Sequence, residues 1–147
     1  MIRVLVTEVA IDVAAELDVL ERAGGGAVAT FTGLVRDDGG VEELFLEHYP
    51  VATEKALSDL AAEAARRWSL AAATVIHRVG AMAPGERIVF VGAAAAHRAA
   101  ALEACAFLID RLKTDAPFWK RERRGQDARW VGERESDRDA ADRWKRS

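Results

Sequence analysis

Ile88-Val89-Phe90-Val91 is a continuous apolar run, entered through the turn residues Pro84-Gly85. Such a run reads as a strand covered on both faces. A long helix is expected after it, over 97–114, with Leu102, Cys105, Ile109 and Leu112 as its apolar stripe. Pro117 ends that helix, because proline disfavours helical geometry in the residue before it.

Working outward, residues 2–9 alternate like a strand, and Asp12 is placed to cap a helix over about 13–23. Gly24-Gly25-Gly26 breaks that helix. Residues 27–35 and 41–49 are expected as two strands of a hairpin closed by Asp37-Asp38-Gly39-Gly40. In the second of them Leu44, Leu46 and His48 share one face. Thr53 is expected to cap a helix reaching Trp68, followed by a strand over 73–79 in which Val75, His77 and Val79 point one way. Residues 127–134 suggest a last strand, and Ser136 the cap of a short helix ending near Lys145. Hairpins mixed with helices, without strict βαβ alternation, favour an α+β fold with mainly antiparallel pairing. The 147 residues fit one domain, with no linker or internal repeat.

Charge is distributed unevenly. Residues 111–124 hold six basic side chains (Arg111, Lys113, Lys120, Arg121, Arg123, Arg124) against Asp115 and Glu122, a local +4. The whole chain is −3, so the remainder carries −7. A cationic island on an acidic protein is suited to steering and holding a small anion. The pI near 5.7 argues against general nucleic-acid binding, and with it against single-strand RNA on the basic aromatic stretch. No run of about 18 apolar residues is present, and no secretory leader is apparent, which makes a cytoplasmic location the default expectation.

Several residues are candidates for chemistry. Lys113 falls at the helix end and Lys120 on the extended segment beyond Pro117, so both can converge on one pocket beside Phe118-Trp119. The alternative is that Lys113 only complements the helix dipole and that 120–124 is a solvated edge. His97 and Arg98 stand at a helix N-terminus, where unpaired N–H groups favour a phosphate. Arg36 ends an apolar strand, either to grip an anion or as a surface residue beside Asp37 and Asp38. His48 and His77 read as core or hydrogen-bonding histidines, so no metal site is expected. Cys105, the one cysteine, reads as a packing residue, and any sulfur this protein handles must come from elsewhere. No nucleotide-type glycine loop and no Gly-x-Ser-x-Gly motif is present.

Several stretches match one family in order. They are Phe31-Thr32-Gly33-Leu34-Val35-Arg36, Leu46-Glu47-His48-Tyr49-Pro50, Val75-Ile76-His77-Arg78-Val79-Gly80, Ala96-His97-Arg98, and Leu112-Lys113-Thr114 through Ala116-Pro117-Phe118-Trp119-Lys120-Arg121-Glu122. With them the chain, over roughly residues 2–145, resembles the large, catalytic subunit of molybdopterin synthase. The resemblance implies an α/β hammerhead-type domain with an additional antiparallel β-sheet. It implies conversion of cyclic pyranopterin monophosphate (precursor Z) to molybdopterin, with two sulfurs delivered as a thiocarboxylate on the C-terminal glycine of a small ubiquitin-like partner. It implies no cofactor, and a large-subunit homodimer within a heterotetramer.

The resemblance also assigns roles. Lys113 and Lys120 match the catalytic lysines. Leu34, Val35 and Arg36 match a substrate-contacting segment, His97 and Arg98 an anion-binding pair, and Arg121, Glu122 and Arg134 the pocket lining. Fifteen residues of one helix separate Arg98 from Lys113, roughly 22 Å, which is too far for one pterin monophosphate to touch both. Each site is therefore expected to be shared across the dimer. Two departures stand out. Ala94-Ala95-Ala96 replaces a hydroxyl residue before the His-Arg pair in many relatives, and Ile109 replaces a methionine in some. The competing readings are a non-catalytic module for a phosphorylated heterocycle and a scaffold that only binds a flexible C-terminal tail.

Overall fold

The computed structural model describes residues 1–131 and 135–146. Two four-stranded sheets make the frame. The first has the order β1 (Ile2–Thr7), β4 (Ala72–Arg78), β6 (Arg87–Ala95), β2 (Ala27–Leu34), with β1 and β4 parallel and the other pairs antiparallel. The second is wholly antiparallel, in the order β5 (Gly80–Met82), β3 (Glu43–His48), β7 (Phe118–Arg124), β8 (Asp127–Val131). The helices are α1 (Val13–Arg22), α2 (Pro50–Trp68), α3 (Arg98–Asp115) and α4 (Glu135–Asp142). An α+β fold with an added antiparallel sheet is therefore what the chain forms.

β6 lies inside the first sheet, which is why its run is apolar throughout. Phe90 and Ala94 face α1, where they pack with Leu20, Ile76 and Ile11. Val89 and Val91 face the other way, toward Leu57, Leu108 and Leu112 of α2 and α3. Leu20 is fully buried, and its truncation to alanine is expected to cost about 2–5 kcal/mol. Asp12 caps α1 as expected, accepting from the Ala15 N–H at 3.1 Å.

The chain crosses from one sheet to the other at Val79-Gly80. Gly80 has φ +87°, a left-handed conformation that a side chain disfavours, so β4 turns directly into β5 without a loop.

Three expectations need correction. The strands at 27–34 and 43–48 are not a hairpin: β2 pairs with β6, while β3 pairs with β5 and β7. Asp38–Gly40 forms a 3-10 turn, with Gly39 and Gly40 at positive φ, that carries the chain between sheets. Thr53 does not cap α2. Pro50 opens that helix, its fixed φ and missing N–H suiting the first position, and Thr53 is buried one turn inside. Leu102 is 61% exposed, because the buried stripe of α3 runs through Ala101, Ala104, Cys105, Leu108 and Leu112 instead. The last strand is described over Asp127–Val131, and residues 132–134 of the expected 127–134 strand, Arg134 among them, lie outside the described residues.

At the C-terminus Trp144 seals α2 against α3. Its ring meets Trp68 and Phe107 edge-on, at 5.8 and 5.7 Å, and its indole N–H donates to Asp110 at 2.8 Å. No helix among the described residues is long and apolar enough to cross a membrane.

Candidate functional site

Three elements converge on a recess of about 460 Å3. The end of β2 supplies Leu34, and Val35 and Arg36 follow directly after it. The last turn of α3 supplies Lys113, and β7 supplies Lys120, Glu122 and Arg124. Leu44 and Ile88 also line the recess.

Local chemistry explains each placement. The register of β2 against β6 slips between Gly33 and Leu34, a bulge that bends the strand end and re-aims its side chains. Gly33 sits so close to β6 that an added Cβ would lie 2.6 Å from a Val89 methyl. Pro117 stops α3, leaving Ala116 extended, and the chain enters β7 at once. Alternation along β7 then puts residues 120, 122 and 124 on one face. Lys113 and Lys120 are both half-buried and reach the same recess from the two sides of Pro117.

The rim is tied down by Arg124. Its Nε donates to the Gly39 carbonyl at 2.8 Å and its Nη2 to the Asp38 carbonyl at 3.2 Å. The same Nη2 lies 3.0 Å from a Glu122 carboxylate oxygen. Arg36 Nη1 stands 3.7 Å from Asp38 and is well exposed, available to an incoming anion.

Not every expected residue arrives. Arg121 occupies the opposite face of β7, its guanidinium over the rings of Phe45 and Trp130 at 4.9 and 5.7 Å. His97 and Arg98 stand exposed at the far end of α3. His97 is the N-cap residue and makes no side-chain cap, in line with the missing hydroxyl before it. Arg134 is not among the described residues. A second recess of about 420 Å3 is formed by Glu47, His48, Tyr49, Trp119 and Trp130, with no lysine or arginine among the described residues of its lining. Arg36, Lys113, Lys120 and Arg124 line the first recess.

Sequence reasoning missed Arg124, although period-two alternation from Lys120 points to it. His77 is a buried, hydrogen-bonded histidine as expected, with its Nδ1 2.8 Å from the Arg78 carbonyl oxygen. That ring is 5% exposed and stacks on Phe118, centroids 3.9 Å apart. Burial, with Lys113, Lys120 and His48 nearby, pushes its pKa down to about 3. Cys105 is buried, and desolvation raises its thiol to about 11. Among the described residues no group of three or more His, Cys, Asp or Glu is placed to hold a metal ion.

Residues 6–115 match the family model described as MoaE protein. The chain is 53% identical over 144 residues to the molybdopterin synthase catalytic subunit of Pseudomonas aeruginosa, covering 95% of this chain and 96% of that one. It superposes on the molybdopterin biosynthesis MoaE protein from Burkholderia ambifaria with a TM-score of 0.86 at 43% identity, over 99% of both chains. It superposes on molybdopterin synthase from Staphylococcus aureus with a TM-score of 0.76 at 29% identity, over 87% of this chain and 95% of that one. The chain belongs to the MoaE family.

Proposed function

We propose that residues 1–147 form the catalytic subunit of a molybdopterin synthase. The observation that carries this reading is the meeting of Lys113 and Lys120 in one recess with the Leu34–Arg36 segment. The enzyme converts precursor Z to molybdopterin, a sulfur transfer of molybdenum cofactor biosynthesis, and a cytoplasmic setting is part of the reading. The sulfur comes from the C-terminal Gly-Gly thiocarboxylate of a small ubiquitin-like subunit whose tail enters the recess. The buried thiol of Cys105 takes no part, since a raised pKa and burial both oppose reaction.

Lys113 engages the acyl end of the tail and stabilises the negative charge that develops there as the C–S bond breaks. Lys120 and Arg36 hold the anionic pterin, with Leu34, Val35 and Glu122 shaping the wall. Arg121 supports β7 from behind rather than touching substrate, because its guanidinium is held over Phe45 and Trp130.

His97 and Arg98 are absent from this recess, so their anion-binding role requires a second protomer. Within the first sheet β2 pairs only with β6 among the described residues, which leaves its outer edge open. Phe31 on that edge strand and Leu102 in the first turns of α3 are exposed apolar side chains that a two-fold contact would cover. The working assembly is then a homodimer of this chain with one small subunit at each end.

The test is direct. The protein is mixed with a thiocarboxylated small subunit and precursor Z, and molybdopterin is assayed. Lys113→Ala is expected to lower turnover by roughly two to three orders of magnitude while the small subunit still binds. Binding of the small subunit with no affinity for precursor Z would favour the tail-scaffold reading.

A further inference from the structure

We propose that Arg78 and Glu86 are positioning residues: a guanidinium–carboxylate latch that fixes the turn at 83–86 and, through it, the Val35-Arg36 segment on the wall of the cationic recess. This rests on the reading that Arg36 grips the anionic substrate.

Arg78 ends β4 and is buried. Its Nη1 donates to Glu86 Oε1 at 3.1 Å and its Nη2 to the Glu8 carbonyl at 2.8 Å. The fork of one guanidinium thus joins the residue after β1 to the turn between β5 and β6. That turn is closed twice. The Glu86 N–H donates to the Ala83 carbonyl at 3.1 Å, and the Ala83 N–H donates to Glu86 Oε2. Pro84 and Gly85 hold its two central positions, and the φ of +91° at Gly85 is what the second of them requires in a type II turn. The Glu86 carboxylate therefore serves two donors, one on each oxygen. Those donors, the Ala83 N–H most of all, hold its pKa below the ordinary carboxylate range, so it stays an acceptor at neutral pH.

The same turn grips the segment that faces the recess. The Val35 N–H donates to the Glu86 carbonyl at 2.9 Å, and the Gly85 N–H to the Val35 carbonyl at 2.8 Å. These two bonds lie just beyond the bulge at Gly33 and Leu34, where the ladder between β2 and β6 has slipped. Val35 is buried, and both it and Arg36 line the recess. The Arg36 side chain is 64% exposed and approaches Asp38 at 3.7 Å, so the backbone at Val35 sets where it starts. Packing alone does not call for an arginine at position 78. Its Nε is buried with no acceptor among the described residues, a cost that an apolar side chain would avoid. What the guanidinium adds there is the pair of bonds made by its two Nη atoms.

Two full-length variants test this. Glu86→Ala removes both acceptor oxygens and leaves Pro84-Gly85 in place; Glu86→Gln leaves one oxygen for two donors. The Glu86 side chain is 44% exposed, so the thermal midpoint of Glu86→Ala is expected to fall by no more than about 4 °C. Amide exchange at Val35 and Gly85, read by NMR without substrate, is expected to quicken about tenfold in Glu86→Ala and about threefold in Glu86→Gln. With the small subunit present, KM for precursor Z is expected to rise about tenfold in Glu86→Ala, with kcat changed less than about threefold. In an Arg36→Ala background the added Glu86→Ala change is expected to raise KM less than about twofold, because the latch acts through that arginine. Unchanged exchange in a folded Glu86→Ala protein overturns the proposal. So does an unchanged KM in a protein that makes molybdopterin, or a KM rise undiminished in the Arg36→Ala background. If Glu86→Ala does not fold, Glu86→Gln decides, and unchanged exchange there overturns it. Exchange reads the segment whatever the reaction is. A loosened Val35 in a protein that makes no molybdopterin would sink the functional reading and leave the latch standing.

Discussion

Arg124 Nη2 lies 3.0 Å from the Glu122 carboxylate, on the face of β7 that also carries Lys120. The same guanidinium donates to the carbonyls of Asp38 and Gly39. One side chain thus joins the rim turn to the strand that carries Lys120. Arg124→Ala is expected to cost little stability, under about 1 kcal/mol, since the pair is partly solvated. Activity is expected to fall about tenfold as the rim loses its anchor. Thermal unfolding and molybdopterin formation, measured side by side, check both halves.

Site sharing makes a numerical prediction. Arg98→Ala and Lys113→Ala homodimers are each expected to be nearly inactive. Mixed one to one and allowed to exchange, half the dimers become hybrids with one intact site of two, restoring about a quarter of wild-type activity. If no hybrid gains activity over the separate mutants, each site is built within one chain.

His77 predicts an acid sensitivity. Its pKa is near the ordinary 6.5 in the unfolded chain and about 3 in the folded one. The unfolded state therefore binds the extra proton between those values. The contribution is fully present above pH 6.5 and is lost progressively as pH falls toward 3, at up to about 1.4 kcal/mol per pH unit. Chemical denaturation at pH 7 and pH 5 should show this loss in the wild type. It should be smaller by that amount in His77→Phe, which has no proton to take up.

Cys105 should be inert. With the thiol pushed up to about 11 and buried in α3, alkylation of the native protein is expected to be slow until it is unfolded. Cys105→Ala is expected to keep wild-type turnover. Rapid labelling of the native thiol, or loss of sulfur transfer in that variant, would assign it a chemical role.

Much of the fold was readable because its signals are local. Asp12 caps α1 through a contact three residues away, and Pro117 ends α3 by a clash with its neighbour. The apolar run at 88–91 announces a strand buried on both faces. The supposed hairpin failed for the complementary reason. Residues 27–34 and 43–48 both have strand character, but their pairing depends on distant partners, β6 and β7, that no turn residue encodes. Leu102 was misplaced because a helix rich in alanine has a weak apolar stripe, so its neighbours in space choose the buried face.

The chain alone determined the inventory of the site: lysines on either side of a helix-breaking proline, an arginine closing an apolar strand, and no thiol able to supply sulfur. Only the tertiary structure decided which of these meet. The bulge at Gly33 and the alternation of β7 bring Leu34–Arg36, Lys113, Lys120, Glu122 and Arg124 together, and turn Arg121 away. Packing between the two sheets set His77 against Phe118, a contact spanning forty-one residues that neither local stretch specifies. Residue type is a property of the chain, but convergence is set by long-range packing, and the chemistry of this protein depends on convergence.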